Sequence, residues 1–370
     1  MFFILILALA ALLGLTVVAL AGLRRGARSL PDAPEPLPAQ SQLRPAGAGP
    51  GRTKQPRRRS GAGLLPAGAT VSFASERQQT DVDTVIAALD RELVGLAPVK
   101  RTVDQIASLL LVDRARSRFG LIAPRPNLHM CFTGPPGTGK TTMALRMADL
   151  LYQLGYLERN EVVHAMRNDL VGEFVGHTAP KTKRVLDRAM GGMLFIDEAY
   201  YLYRGADSKD YGQEVIDILM QVMEQQRDKL VVILAGYKDR MDEFFRVNPG
   251  MRSRIAHHID FAPYNLDELV AIGELMLAEA SYELSPAATA VFREHIAQQM
   301  PLPGFANARS VRNSLDRARL QHAHRLAGAD TQQWTREDLM RLEPHDIAGD
   351  PAQATDPAQL AGPARAASGQ

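Results

Sequence analysis

The sequence predicts an α/β protein: a parallel sheet sandwiched by helices, followed by a small all-helical domain. Three observations carry that expectation. Short apolar runs alternate with amphipathic stretches from Leu93 to Phe261, the pattern of strands buried on both faces and joined by crossover helices. One such run, Asn127-Leu128-His129-Met130-Cys131-Phe132-Thr133, passes directly into a glycine-rich loop. Beyond Pro263 the apolar spacing becomes helical throughout.

The loop Gly134-Pro135-Pro136-Gly137-Thr138-Gly139-Lys140-Thr141 fits G-x-x-x-x-G-K-[ST]. Thr142 opens a stretch with Met143, Met147, Leu150, Leu151 and Leu154 at helical spacing, so the context is strand, glycine loop, helix. Glycines let backbone N–H groups turn inward around a polyphosphate, and the helix N-terminus adds partial positive charge. Lys140 is expected to reach the outer phosphates and the Thr141 hydroxyl to sit on Mg²⁺.

Taken in order, Asp83–Leu93 and Val99–Phe119 read as helices, the second with Ile106, Leu109, Leu110 and Val112 on an apolar face. Between them Val94 and Gly95 form an apolar turn able to pack against a base. After the glycine loop, Glu161–Met166 reads as a strand, Lys181–Met190 as a helix, and Gly192–Glu198 as a buried strand. Gly212–Lys229 is an amphipathic helix, and Leu230–Gly236 and His257–Phe261 are further strands. Asn265–Ala280, Ser285–Met300 and Ala306–Leu326 are the helices of the small domain, Ser285-Pro286 being a good helix start. The expected boundaries are 71–262 for the α/β domain and 263–345 for the helical one.

The ends differ in composition. Phe2–Leu23 carries no charge and is long enough to span a bilayer; it reads as a membrane anchor or, alternatively, as translation from a misassigned start. Arg24, Arg25 and Arg28 follow it, which puts the body in the cytoplasm if the segment spans. Residues 24–70 read as a disordered basic linker rich in Pro, Ala and Gly, and residues 346–370 as a disordered tail. From Arg24 to Arg59 there are nine Lys/Arg against two Asp/Glu, while the rest of the chain has 34 basic and 39 acidic residues. A mildly acidic body argues against a nucleic-acid motor. The single cysteine, Cys131, excludes an internal disulfide and reads as a buried, inert thiol.

Asp197 and Glu198 close an apolar strand, so both carboxylates emerge at the carboxyl edge of the sheet, where α/β ligands bind. Asp197 is expected to hold Mg²⁺ and Glu198 to orient and deprotonate an attacking water. Arg252 and Arg254 lie between the last two strands, where a guanidinium from a neighbouring subunit can meet a γ-phosphate; the choice between them is open. Arg309 opens the third helix of the small domain and is able to reach back to the nucleotide. Phe174, Val175 and Gly176 follow the second strand in a loop able to grip an extended peptide.

With these residues in place, the chain from about Leu93 to Leu326 resembles the AAA+ ATPases of the CbxX/CfqX type, and within them the red-type Rubisco activases. Besides the glycine loop and the carboxylate strand, the runs His177–Thr182, Asp197–Arg204, Asn248–Ile255 and Phe305–Asn313 carry the likeness. The resemblance implies a homo-hexameric ring that hydrolyses ATP with Mg²⁺ between subunits. It further implies stimulation by ribulose bisphosphate and release of sugar-phosphate inhibitors by pulling on the tail of the Rubisco large subunit. It places Phe174 at the pore-loop aromatic, Arg252 or Arg254 at the finger and Arg309 at the lid sensor. The alternatives are the same motor with another protein client, as in sporulation or type VII secretion relatives, and a membrane-tethered nucleotide-binding scaffold. Ala235-Gly236-Tyr237 has no polar Asn or Thr after the fourth strand, so no first sensor residue is assigned.

Overall fold

A computed structural model of the chain describes residues 64–66, 68–204, 211–328 and 333–348. The apolar segment 1–23, the basic linker up to residue 63 and the tail from residue 349 lie outside the described residues. Among the described residues no helix is long and apolar enough to cross a membrane.

Helices α1 (Phe73–Gln79) and α2 (Val82–Glu92) lead into the long α3 (Ala97–Arg118). Then follow β1 (Met130–Thr133), α4 (Lys140–Gln153), β2 (Val162–Ala165), α5 (Arg167–Leu170), α6 (Thr178–Ala189) and β3 (Met193–Ile196). A 3₁₀ turn at Ala199–Leu202 precedes α7 (Gly212–Gln225), β4 (Val231–Gly236), α8 (Lys238–Val247), α9 (Pro249–Ser253) and β5 (His257–Asp260). The five strands are parallel in the order β2-β3-β4-β1-β5, so β1 sits inside the sheet and delivers the glycine loop to the middle of its carboxyl edge.

Strand residues alternate between two cores, as the period of two requires. Met130, Phe132, Met193, Phe195 and Ile233 enter one with α3 and α4. Cys131, Leu194, Ile196, Val232 and Leu234 enter the other with α6, α7 and α8. Burial, reinforced by Asp242 and Asp260, pushes the Cys131 thiol up to about 12, so it is an inert core group.

Helix α6 begins at Thr178, a turn before the expected Lys181, because the preceding loop satisfies two buried hydroxyls. Gly172 N–H donates to Thr178 Oγ1 at 3.1 Å, and Thr182 Oγ1 donates to the Leu170 carbonyl at 3.0 Å. On α3, Ile106 and Leu110 are buried as expected, but Leu109 and Val112 are 45% and 48% exposed. Val99, Val103, Ile106, Ala107, Leu110 and Leu111 already fill the buried stripe, which leaves Leu109 and Val112 on its flank.

The second domain packs α10 (Leu266–Glu279), α11 (Pro286–Gln299) and α12 (Ala308–Gly328), with short α13 (Arg336–Met340) and α14 (Pro344–Ala348). Asn265 and Ser285 cap α10 and α11 through Glu268 N–H and Ala288 N–H. Helices alone were expected; the structure adds a parallel pair, β6 (Glu283–Leu284) with β7 (Arg341–Leu342), too short to leave a period in the sequence. Arg325 grips the buried Asp346 through two bonds of 3.0 Å and so pins α14 to α12. Burial alone would raise the Asp346 carboxyl, but Arg325 and Glu343 N–H hold it below the usual range.

At the amino edge of the sheet, His129 joins several elements. Val232 N–H donates to its Nδ1 at 3.0 Å, and its Nε2–H donates to the Met223 carbonyl at 3.0 Å in the assigned tautomer. Its carbonyl accepts from Ala256 and His257 N–H. Burial pulls the ring below the usual histidine range, against the opposing pull of the Met223 bond and Glu224. A depressed histidine binds its proton more readily in the unfolded chain, so this site adds stability above about pH 6.5 and loses it as pH falls. We expect unfolding midpoints to drop on acidification more steeply in the natural protein than in His129→Gln. Equal slopes in urea melts from about pH 8 to about pH 5 would contradict this. His129→Leu orphans two buried backbone groups and is expected to cost about 1–3 kcal/mol for each.

Candidate functional site

The loop between β1 and α4 is shaped by backbone that only glycine adopts without strain. At Gly134 φ is +142°, and a Cβ there would lie 2.3 Å from the Phe261 carbonyl oxygen. Gly134 N–H bonds the Gly236 carbonyl at 3.1 Å, which fixes the loop to β4, and Thr138 Oγ1 closes it by donating to the Pro135 carbonyl at 2.9 Å. Among the described residues, no group accepts from the N–H of Gly137, Thr138 or Gly139. Pro135 and Pro136 hold the loop's first half, and Thr141 and Thr142 lie in the first turn of α4.

Lys140 Nζ donates to the Gly134 and Pro135 carbonyls at 2.9 and 2.7 Å. Burial lowers its ammonium below the usual lysine range; Asp197 and Glu198 oppose that pull and Arg309 adds to it. These three partners locate Lys140 among the other residues expected at the site.

β3 ends at Ile196, and the chain leaves the ladder at Asp197 and Glu198. Burial would raise the Asp197 carboxyl, but His164, Glu198 N–H and Lys140 together hold it low. Glu198 N–H donates to Asp197 Oδ1 at 3.0 Å, and His164 Nε2 lies 3.8 Å from Oδ2. Glu198 itself is in the left-handed region at φ 50°, ψ 44°, a strained conformation for a side-chain-bearing residue. Burial and Asp197 push its carboxyl up, against Lys140, Arg240 and Arg309, and its Oε2 is buried without a hydrogen-bond partner.

The helical domain closes over the same loop through main-chain carbonyls. Asn307 Nδ2 donates to Pro136 O at 3.1 Å, Ala308 N to Gly137 O at 3.2 Å and Tyr264 Oη to Thr138 O at 3.2 Å. Asn307 Oδ1 in turn accepts from Tyr264 N–H at 3.1 Å. A Cβ on Gly137 would lie 2.0 Å from Ala306 O, so any side chain there would lever the domain away. Arg309 follows at the helix start, its side chain exposed and its charge felt by Lys140 and Glu198.

Val94 and Gly95 lie beside the loop: the flanking Leu93 and Leu96 back onto Gly139, and Gly95 faces Glu268 of the helical domain. The fold does not bring Arg252 or Arg254 to this edge, and the loop of Phe174 leaves it from the outermost strand, β2. The two arginines are at the amino edge, where the Arg254 carbonyl accepts from Asn127 Nδ2 at 2.8 Å. Arg254 Nη1 donates to Gly250 O at 2.8 Å and its Nε lies 3.6 Å from Glu224, whereas Arg252 is exposed. Phe174 and Val175 stand 65% and 79% exposed with Gly176 at a loop tip, the Phe174 ring edge-on to His177 at 5.5 Å.

Sequence reasoning missed His164, Tyr264 and Asn307. A parallel register pairing His164 with Phe195 would have brought the histidine close to Asp197, but register is not written in one strand. Asn307 and Tyr264 act through backbone carbonyls, which leave no residue pattern.

Taken together, unpaired loop N–H groups, a half-buried lysine, and adjacent carboxylates with one orphaned oxygen suit a polyphosphate and its Mg²⁺. Thr141 and Asp197 would hold the metal, which keeps most of its waters in such sites and neutralises phosphate charge.

The family model described as "ATPase family associated with various cellular activities (AAA)" matches residues 130–263, and the AAA lid domain model matches 265–357. The chromosomal protein CbxX of Cupriavidus necator is 60% identical over 69% of this chain and 80% of its own. The chloroplastic ribulose bisphosphate carboxylase/oxygenase activase of Cyanidioschyzon merolae is 54% identical over 75% of this chain and 95% of its own. Protein CfxQ of Xanthobacter flavus is 58% identical over 67% of this chain and 78% of its own. With the glycine loop, the carboxylate edge and the lid arranged as described, the chain belongs to the AAA ATPases and, among them, to the family of the CbxX and CfxQ proteins.

Proposed function

We propose that this protein is an ATP-driven remodelling chaperone for Rubisco, working as a homo-hexameric ring. The observation that carries the reading is the 54% identity to an activase of Rubisco, in a chain whose hydrolytic residues converge on one edge. The glycine loop, Val94, Gly95 and Arg309 bind ATP. Lys140 contacts the outer phosphates, Thr141 and Asp197 hold Mg²⁺, and Glu198 takes the proton of the attacking water. Its raised carboxyl sits nearer to neutrality than a free glutamate, which suits a general base.

Arg252 and Arg254 face away from their own nucleotide, so their guanidinium charge serves the next subunit in a head-to-tail ring. We assign the finger to Arg254, because Glu224 and the Gly250 carbonyl orient it in advance and reduce the cost of ordering it. Phe174, Val175 and Gly176 form the pore loop that grips the large-subunit tail, and ribulose bisphosphate is the effector. The ATPase body lies in the cytoplasm, tethered by Phe2–Leu23. Nucleic acid has no part in the reading.

ATP turnover by the purified chain is expected to rise with ribulose bisphosphate, and the protein to restore inhibited red-type Rubisco. Normal basal turnover without either effect would leave the motor and remove Rubisco as its client. Glu198→Gln is expected to bind ATP while losing hydrolysis by at least about a hundredfold; retained turnover would refute the base. Glu198→Gln and Arg254→Ala, each inactive alone, are expected to regain activity when mixed, since roughly a quarter of interfaces in a random ring are then intact. No recovery on mixing rules against a trans-acting Arg254. For the tether, an antibody to residues 2–23 should detect the protein in the membrane fraction, and a soluble, shortened product would dismiss the anchor.

A further inference from the structure

The turn that carries Val94 and Gly95 joins α2 to α3 through two residues in the left-handed region, Gly95 at φ 64° and Leu96 at φ 55°. A leucine is strained there and stays only where its surroundings hold it. The phosphate loop supplies part of that support. A Cβ on Gly139 would lie 3.0 Å from Leu93 Cδ2 and 3.8 Å from Leu96 Cδ1. Apolar contact is not directional, so it presses the turn onto the loop without fixing where the turn sits.

Polar clamps supply the direction. Glu92 closes α2 immediately before the turn and meets Arg146, in the second turn of α4. Arg146 Nε donates to Glu92 Oε2 at 2.7 Å, and its Nη2 donates to Glu92 Oε1. The remaining Nη1 donates to Asp149 Oδ2 at 2.6 Å, and Asn160 Nδ2 donates to Asp149 Oδ1 at 2.5 Å. The Arg146 side chain is 13% exposed and that of Glu92 30%, so water and salt screen this pair less than a surface one. Across the turn, Lys100 Nζ lies 3.0 Å from Asp90 Oδ1, which clips the start of α3 to the end of α2.

A guanidinium fork on a carboxylate fixes angle as well as distance. Helix α4 opens at Lys140, so one helix sets the phosphate loop at its start and, through Arg146, the end of α2. We propose that Glu92 and Arg146 are positioning residues for the nucleotide. Their bidentate pair sets the spacing between the Val94–Gly95 turn and the phosphate loop, and so fits the site to a nucleoside phosphate rather than to a bare phosphate chain. The proposal rests on the reading of Val94 and Gly95 as the turn that meets the base. Both residues act through the helices that carry them, not by contact with nucleotide.

The test compares ADP with pyrophosphate, which occupies the loop and has no base, by calorimetry on the full-length protein. The variants are Arg146→Lys, Glu92→Gln, Asp149→Asn and Val94→Ala. Arg146→Lys keeps the charge and loses the fork. Its affinity for ADP is expected to fall by about tenfold and that for pyrophosphate by less than about twofold. Glu92→Gln changes the pair from the α2 side and keeps one acceptor, so the ratio of the two affinities should fall in the same direction by a smaller factor. Asp149→Asn alters the other partner of Arg146 and should leave the ratio unchanged. A role in stability alone would instead lower both affinities together with the thermal midpoint. A ratio unmoved in Arg146→Lys, or lowered equally by Asp149→Asn, overturns the proposal. If Val94→Ala leaves the ratio unmoved, the turn does not meet the base and the proposal falls with that reading. If Val94→Ala lowers it while Arg146→Lys does not, only the role of the pair has failed.

Discussion

The seating of the lid on the phosphate loop is the interaction on which the rest of the site depends. Asn307, Ala308 and Tyr264 bond three successive carbonyls, those of Pro136, Gly137 and Thr138. Those bonds draw on one side of the loop's peptides and leave the N–H side free for an anion. A peptide whose carbonyl accepts a hydrogen bond is polarised toward being a better donor, so lid closure and phosphate binding favour each other through the same backbone. The absence of a side chain at Gly137 permits this arrangement. Arg309 then needs no long reach, because the turn that carries it is already docked.

Below the loop, two neighbouring carboxylates are driven in opposite directions by unlike surroundings. Asp197 keeps its charge through His164, the Glu198 N–H and Lys140, while Glu198 is raised by burial and by Asp197 itself. Separated affinities in a paired set divide the labour between a permanent anion for metal and a group able to take a proton. The left-handed turn at Glu198 is what separates them: it removes the second carboxylate from the strand direction without lengthening the chain.

Most of this fold was legible because apolar period and glycine placement are local signals. The strands appeared as runs buried on both faces, and the loop as glycines ahead of Lys140. Leu109 and Val112 were misjudged on the same logic, since an apolar residue on a helix flank repeats with nearly the same period as one in the core. Asp197 and Glu198 were readable from their place at a strand end. His164 was not, because its nearness to Asp197 arises from sheet order, which joins residues far apart in sequence. The β6–β7 pair is two residues long on each side and has no period to detect.

The segment that carries β1 is tied at both ends. Its amino end is tied by Asn127 and His129 to Arg254, Ala256 and His257, and its carboxyl end becomes the phosphate loop. A strand of four residues is about 13 Å long and resists stretching. As part of the proposed ring it would be a strut between a subunit's own nucleotide and the arginines proposed to serve the next. In the proposed ring, a tilt imposed by one nucleotide would be carried undiminished to the neighbouring site, and successive subunits would be timed by the stiffness of a single buried strand.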